Sequence, residues 1–91
     1  MRESTIEKAL VREIRVRGGE SRKIRWIGRR GAPDRLCAAH GRHCWVELKK
    51  PGERPTSLQL REHERMRGWG MAVFVVDTMS DIQKILKYLM I

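Results

Sequence analysis

The chain has 91 residues, and 20 Lys and Arg against 11 Asp and Glu give it a formal net charge of +9. This length predicts one small domain, whose modest core a homodimer would enlarge. No apolar run approaches the roughly 18 residues of a membrane span, whereas the positive charge favours a polyanionic partner, nucleic acid first.

The first predicted element is a helix over residues 4–17. One of its faces carries apolar side chains at four-residue steps, namely Ile6, Leu10 and Ile14. Gly18 and Gly19 end it. Ser4 and Glu7 have the spacing of a capping box, which by itself explains Glu7. Residues 1–4 lack the apolar core of a signal peptide, so we expect a soluble, cytoplasmic protein.

Residues 22–27 alternate polar and apolar side chains, which predicts the first strand. A turn with two glycines and two arginines follows, Gly28-Arg29-Arg30-Gly31, and leads directly into Pro33 and Asp34. The charge of the chain suggests that Arg29 and Arg30 contact phosphates. A solvated basic turn is the alternative, and the sequence leaves both open.

A hairpin is predicted next, with strands over residues 35–39 and 43–49 and a turn at His40-Gly41-Arg42. A two-residue turn places Asp34 across from Glu47 with both side chains on one face. Like charges in that position destabilise a sheet unless a cation lies between them. We therefore interpret Asp34 and Glu47 as ligands of a divalent metal. A salt-bridged surface hairpin, with Asp34 as an ordinary turn residue, is the alternative.

The two-residue period of a strand places Lys49 on the face of Glu47 and Lys50 on the other. Lys49 could orient or deprotonate a water, or stabilise charge on a phosphate. Lys50 is either a contact to the phosphate backbone or a solvated charge. The carbonyl of Leu48 is a plausible third oxygen ligand for Mg²⁺. Trp45 shares the Glu47 face and is expected to form a wall of the site.

The same hairpin pairs Cys37 with Cys44. Together with His40 and His43 they resemble a zinc-ligand set, but His43 and Cys44 are adjacent and point to opposite faces of a strand. A reducing cytoplasm disfavours a disulfide. We predict two half-buried free thiols.

The rest of the chain predicts a loop over residues 50–55, a polar helix from Thr56 to about Arg67, a strand buried on both faces over residues 71–76 and an apolar-faced helix from Met79. Gln59 has capping-box spacing from Thr56. His63 is predicted to lie on the surface. The last helix either completes the core or forms a dimer interface. The order α-β-β-β-α-β-α predicts an α/β fold, a mixed sheet flanked by helices.

The combination Asp34…Glu47-x-Lys49 on a hairpin after a first helix resembles the core of PD-(D/E)XK nucleases. Gly31 and Pro33 before the aspartate, Glu47-Leu48-Lys49-Lys50 and a glutamine opening the next helix resemble the VRR-NUC branch. The resemblance implies one restriction-endonuclease-like nuclease domain over residues 1–91 and an endodeoxyribonuclease that depends on Mg²⁺ or Mn²⁺.

The resemblance also implies roles for individual residues. It assigns Glu7, Asp34, Glu47 and the Leu48 carbonyl to the metal, makes Lys49 catalytic, and has Gln59 support the site. For Glu7 and Gln59, the capping-box interpretation remains the alternative.

No helix-turn-helix, zinc finger or aromatic RNA-binding motif is visible, and the chain has only one Phe, one Tyr and three Trp. Recognition should then depend on phosphates and DNA shape. Minimal VRR-NUC proteins resemble homodimeric Holliday-junction resolving enzymes, which implies branched or four-way DNA as substrate in a bacterial or phage-infected cell. The alternatives are a nicking or restriction-like nuclease on ordinary duplex DNA and a non-catalytic basic nucleic-acid-binding module.

Overall fold

The structure is a computed structural model that describes residues 1–91. Its elements are, in order, α1 (Glu3–Val16), β1 (Glu20–Lys23), β2 (Arg35–Ala39), β3 (Arg42–Leu48), α2 (Ser57–Gly68), β4 (Val73–Val76) and α3 (Met79–Leu89). The strands form one sheet in the order β1-β2-β3-β4. Strands β1 to β3 are antiparallel neighbours, and β4 returns parallel to β3 after α2. The predicted α/β fold and its element order are confirmed.

Helices α1 and α3 pack on one face of the sheet. A cluster of 14 buried residues lies between them and the strands. The strands contribute alternate residues to it, among them Cys44, Val46 and Leu48 of β3. The apolar side of α3 is buried in this cluster, so the last helix completes the core. None of the three helices is long and apolar enough to span a membrane.

The intervening residues of β3 point to the opposite face, which α2 partly covers. Glu47 of β3 and Glu62, His63 and Met66 of α2 are buried on this side of the molecule. All the buried residues with ionisable polar side chains therefore lie on this side, whereas the buried Ser21 contacts Cys37 on the core side.

The predicted hairpin register is confirmed, because Cys37 lies opposite Cys44. Both thiols are free and fully buried, more deeply than predicted. Asp34 lies just before β2, where its backbone N–H donates to the carbonyl of Val46 (2.9 Å) and its own carbonyl accepts from the N–H of Ile24 (3.0 Å). These two hydrogen bonds fix the backbone of Asp34 where the β1–β2 and β2–β3 pairings end.

Several predicted boundaries were wrong. Strand β1 covers residues 20–23 rather than 22–27, and the following residues form a loop up to Asp34. The predicted cap at Ser4 is absent, since α1 starts at Glu3 after Arg2, which makes no side-chain cap. Strand β4 is shorter than predicted and lies at the sheet edge, with its two central residues only partly buried. The capping box of Thr56 and Gln59 is confirmed.

Candidate active site

The carboxyl groups of Asp34 and Glu47 meet at the end of the β2–β3 hairpin. The backbone N–H of Leu48 donates to Oδ2 of Asp34 (2.7 Å). Burial raises the pKa of Asp34 to about 6, and the charge of Glu47 and a hydrogen bond with it add to this rise, as does the charge of Glu3; the Leu48 N–H opposes it. Two like charges therefore lie next to each other in a partly buried position, and a bound cation would stabilise them.

Glu47 is 1% exposed and is surrounded by donors. Gln59 donates from Nε2 to its Oε2 (3.2 Å), and Nε2 of His63 lies 3.3 Å from its Oε1. The ammonium of Lys49 lies 3.8 Å from Oε2. A buried carboxylate requires such partners, and here they fix the orientation of both oxygens.

Gln59 makes the hydrogen bonds that both interpretations of the sequence require. Its Oε1 accepts from the backbone N–H of Thr56 (2.8 Å), and the Thr56 hydroxyl accepts from the Gln59 N–H (3.2 Å). The same amide donates from Nε2 to Glu47. The start of α2 is therefore fixed directly to the carboxylate.

His63 was predicted to lie on the surface, and that prediction was wrong. Its side chain is fully buried against Glu47. Because an ionised carboxylate only accepts, Nε2 of a neutral His63 carries the proton, and the buried Nδ1 has no hydrogen-bond partner. The signal in the sequence was the four-residue spacing from Gln59, which places both side chains on one face of a helix.

Lys49 is mostly buried, with 12% of its side chain exposed, and it lies beside Glu47. Lys50 is exposed, and its backbone N–H donates to Glu53. The structure therefore separates the two lysines into one site residue and one surface residue.

Glu7 lies on α1 next to cations rather than next to Asp34 and Glu47. Its Oε2 accepts from Nε of Arg35 (2.8 Å) and is 3.9 Å from the ammonium of Lys23. Glu3, one turn earlier, is the α1 residue whose charge acts on Asp34. Sequence reasoning missed Glu3, although the four-residue spacing from Glu7 places both on one helix face.

No known family model matches the sequence. The chain is 49% identical over 87 residues to "Putative nuclease p44" of Acyrthosiphon pisum secondary endosymbiont phage 1, a match that covers 94% of this chain and 92% of that protein. A solved VRR_NUC domain superposes with a TM-score of 0.85 at 36% identity, over 94% of this chain and 95% of that domain. The chain belongs to the VRR-NUC family. The family resemblance seen in the sequence is thereby confirmed.

The donor set of this VRR-NUC domain fits a hard divalent cation. No three His, Cys, Asp or Glu side chains form a group that could hold a metal by themselves. Mg²⁺ commonly uses one or two protein carboxylates and completes its octahedron with water and substrate phosphate. Asp34, Glu47 and the Leu48 carbonyl at the strand end would be its protein ligands.

The basic turn of the VRR-NUC domain is tied to α2. Nε of Arg29 lies 3.3 Å from Oε1 of the buried Glu62, which Arg65 also contacts at 3.0 Å. Arg30 is exposed and forms no ion pair. Trp45 packs against Trp26 with 5.6 Å between ring centroids, so it supports the neighbouring loop.

Proposed function

We propose that this VRR-NUC protein is a Mg²⁺- or Mn²⁺-dependent endonuclease that hydrolyses phosphodiester bonds in branched DNA, four-way junctions first, and works as a homodimer in the cytoplasm of a bacterial or phage-infected cell. One observation carries the proposal: the partly buried carboxyl of Asp34 lies against the buried carboxyl of Glu47, and the Lys49 ammonium lies 3.8 Å from Glu47. Like charges are kept together at a cost in stability where function requires them.

A bound divalent ion would act as a Lewis acid and lower the pKa of its water. The residues of the chain then have separate tasks. Asp34, Glu47 and the Leu48 carbonyl bind the ion, and Gln59 holds the Glu47 carboxylate by its Oε2. The Lys49 ammonium lies 3.8 Å from Oε2 of Glu47, where it can orient the attacking water or neutralise charge that develops on the phosphate.

The surroundings of the site favour a nucleic-acid substrate. A cavity of about 420 Å³ lies between α1 and β1, and its charged wall is mostly basic, with Lys8, Arg12, Arg15, Lys23 and Arg35. Arg29, Arg30 and Lys50 are further proposed phosphate contacts. These groups bind phosphates regardless of base sequence, which supports recognition by DNA shape.

A homodimer would suit a four-way junction, because two sites on a two-fold axis match two symmetric cuts. The apolar face of α3 is already buried in the core, so the dimer would use another surface. Light scattering tests this part, and a strict monomer that cuts both strands of a junction would contradict it.

The test of the function is cleavage of a four-way junction and of matched linear duplex at physiological salt with Mg²⁺, Mn²⁺ or EDTA. We expect metal-dependent cutting that is faster on the junction and is lost in Asp34→Ala. Equal cutting of the linear duplex would instead support a nicking or restriction-like nuclease. Binding without cutting under every metal condition would support the non-catalytic module.

A further inference from the structure

Ile27 lies at the tip of the β1–β2 loop, defined here as residues 24–34, and is 98% exposed. No other large apolar side chain of the protein is as exposed. Isolated exposed apolar residues are common and mean little alone. The exposure of Ile27 is informative because of the contacts and charges of the residues beside it.

The loop is fixed on both sides of Ile27. On one side, Trp26 packs against Trp45 of β3, with 5.6 Å between ring centroids. On the other, Arg29 is paired with the buried Glu62 of α2 at 3.3 Å. Gly31 has φ +88° and lies so close to α2 that a Cβ there would be 2.9 Å from the carbonyl oxygen of Leu58. A supported loop can present its tip to a partner without a large ordering cost.

The loop also connects directly to the candidate active site. The N–H of Ile24 donates to the carbonyl of Asp34 (3.0 Å), so this hydrogen bond closes the base of the loop at a metal-ligand candidate. DNA that touches Ile27 would therefore be separated from the Asp34–Glu47 pair by no more than the length of this loop.

The charges beside the tip indicate which partner fits. Arg25 and Arg30 are exposed on either side of Ile27 and form no ion pair. Apolar wedges flanked by cations occur in proteins that separate base steps, where the side chain replaces stacking and the cations bind phosphates. One isoleucine offers too little apolar area to hold a protein at a membrane.

We infer that Ile27 is a wedge that inserts between base pairs at a branch point in DNA, while Arg25 and Arg30 bind the flanking phosphates. Unstacking costs least where stacking is already interrupted, so the wedge selects branches over continuous duplex. The loop then places the adjacent phosphodiester at Asp34 and Glu47. This role of Ile27 rests on the proposed function, and it makes Ile27 a residue that determines the preference for branched DNA.

The experiment compares Ile27→Ser, Ile27→Leu and wild type on a four-way junction and a matched duplex with Mg²⁺ or Mn²⁺. Val16→Ser is the matched control, because Val16 is 69% exposed at the far end of α1. We expect Ile27→Ser to cut the junction about tenfold more slowly, which corresponds to the loss of one buried aliphatic side chain. Duplex cutting should change less than about twofold. Ile27→Leu and Val16→Ser should match wild type.

A second measurement does not depend on cleavage. In an Asp34→Asn background, 2-aminopurine at the branch should brighten on binding, and the added Ile27→Ser change should abolish that rise. If wild type cleaves the junction and Ile27→Ser changes neither the cleavage rate nor the fluorescence rise, the wedge is overturned and the nuclease proposal stands. A wild type that cuts no DNA but still gives a fluorescence rise dependent on Ile27 would overturn the nuclease and support the wedge.

Discussion

The two faces of the sheet are built in opposite ways. The face under α1 and α3 buries 14 apolar residues in one cluster. The face under α2 buries Glu47, Glu62 and His63, and places the Asp34 carboxyl against that of Glu47. Apolar burial stabilises a fold in proportion to its area, whereas buried charges are costly unless partnered.

Stability and candidate function therefore depend on different faces of the same sheet. The α1–α3 face stabilises the fold, and the α2 face holds groups whose arrangement is costly in the absence of a cation. Strand β3 serves both, because its successive side chains point to opposite faces. Four sets of variants test whether the two faces have these separate roles.

The largest effect is expected from Lys49→Ala. Removing a positioned ammonium should lower the rate of DNA cleavage by about 10²–10⁴-fold. Lys50→Ala is the matched control at an exposed position beyond β3, and its rate should fall less than about threefold. Single-turnover rates at saturating enzyme measure both. Equal losses in the two variants would contradict the assignment of Lys49 to the site.

On the core face, Leu10→Ala should lower the free energy of unfolding by about 2–5 kcal/mol, because Leu10 is completely buried and its truncation leaves a cavity. Val16→Ala on the same helix should change it by less than about 0.5 kcal/mol. Urea denaturation measures both. If Leu10→Ala were as mild as Val16→Ala, α1 would not be part of the stabilising face.

The raised pKa of Asp34, about 6, predicts a pH-dependent stability of the metal-free protein. The folded state favours the protonated carboxyl. The loss of stability caused by ionising Asp34 is therefore absent below the unfolded pKa near 4, grows as pH rises and is complete above about 6. The difference in melting temperature, Asp34→Asn minus wild type, should therefore increase between pH 4 and pH 7.

Melting curves in EDTA measure this difference, and a constant value across the range would show that the pKa of Asp34 is not raised in the folded protein. Mg²⁺ at pH 7.5 should raise the melting temperature of wild type and leave that of Asp34→Asn nearly unchanged, because binding to the folded state alone stabilises it.

The smallest effects are expected from two variants that separate the capping of α2 from the support of the active site. Thr56→Ala removes the cap of α2 and should cost about 1 kcal/mol of stability, with cleavage nearly unchanged. Gln59→Ala removes part of the same cap and also the donor to Glu47 Oε2, so we expect a similar loss of stability and about tenfold slower cleavage. Identical cleavage by the two variants would reduce Gln59 to a capping residue.

Local periodicity explains what could be predicted from the sequence. The alternation of β3 and the His40–Gly41 turn were enough to pair the hairpin and to separate Lys49 from Lys50. The capping-box spacing correctly placed the start of α2. These features depend on neighbours a few residues away, so a single sequence contains them.

What the sequence did not determine depends on packing between distant segments. His63 is 16 residues from Glu47 in the chain, and its contact with Glu47 depends on how the polar helix α2 packs against the sheet. Glu7 and Glu3 share one face of α1, and only the position of α1 against the sheet pairs Glu7 with Arg35 and leaves Glu3 to act on Asp34.

The fold class, the hairpin and the acids on it thus follow from local sequence patterns, because strand and turn geometry repeat over two to four residues. Which helix residues contact Glu47, and how the β1–β2 loop exposes Ile27, follow only from the packing of the folded chain. Those choices depend on how α1 and α2 pack against the sheet, and no local period specifies that packing.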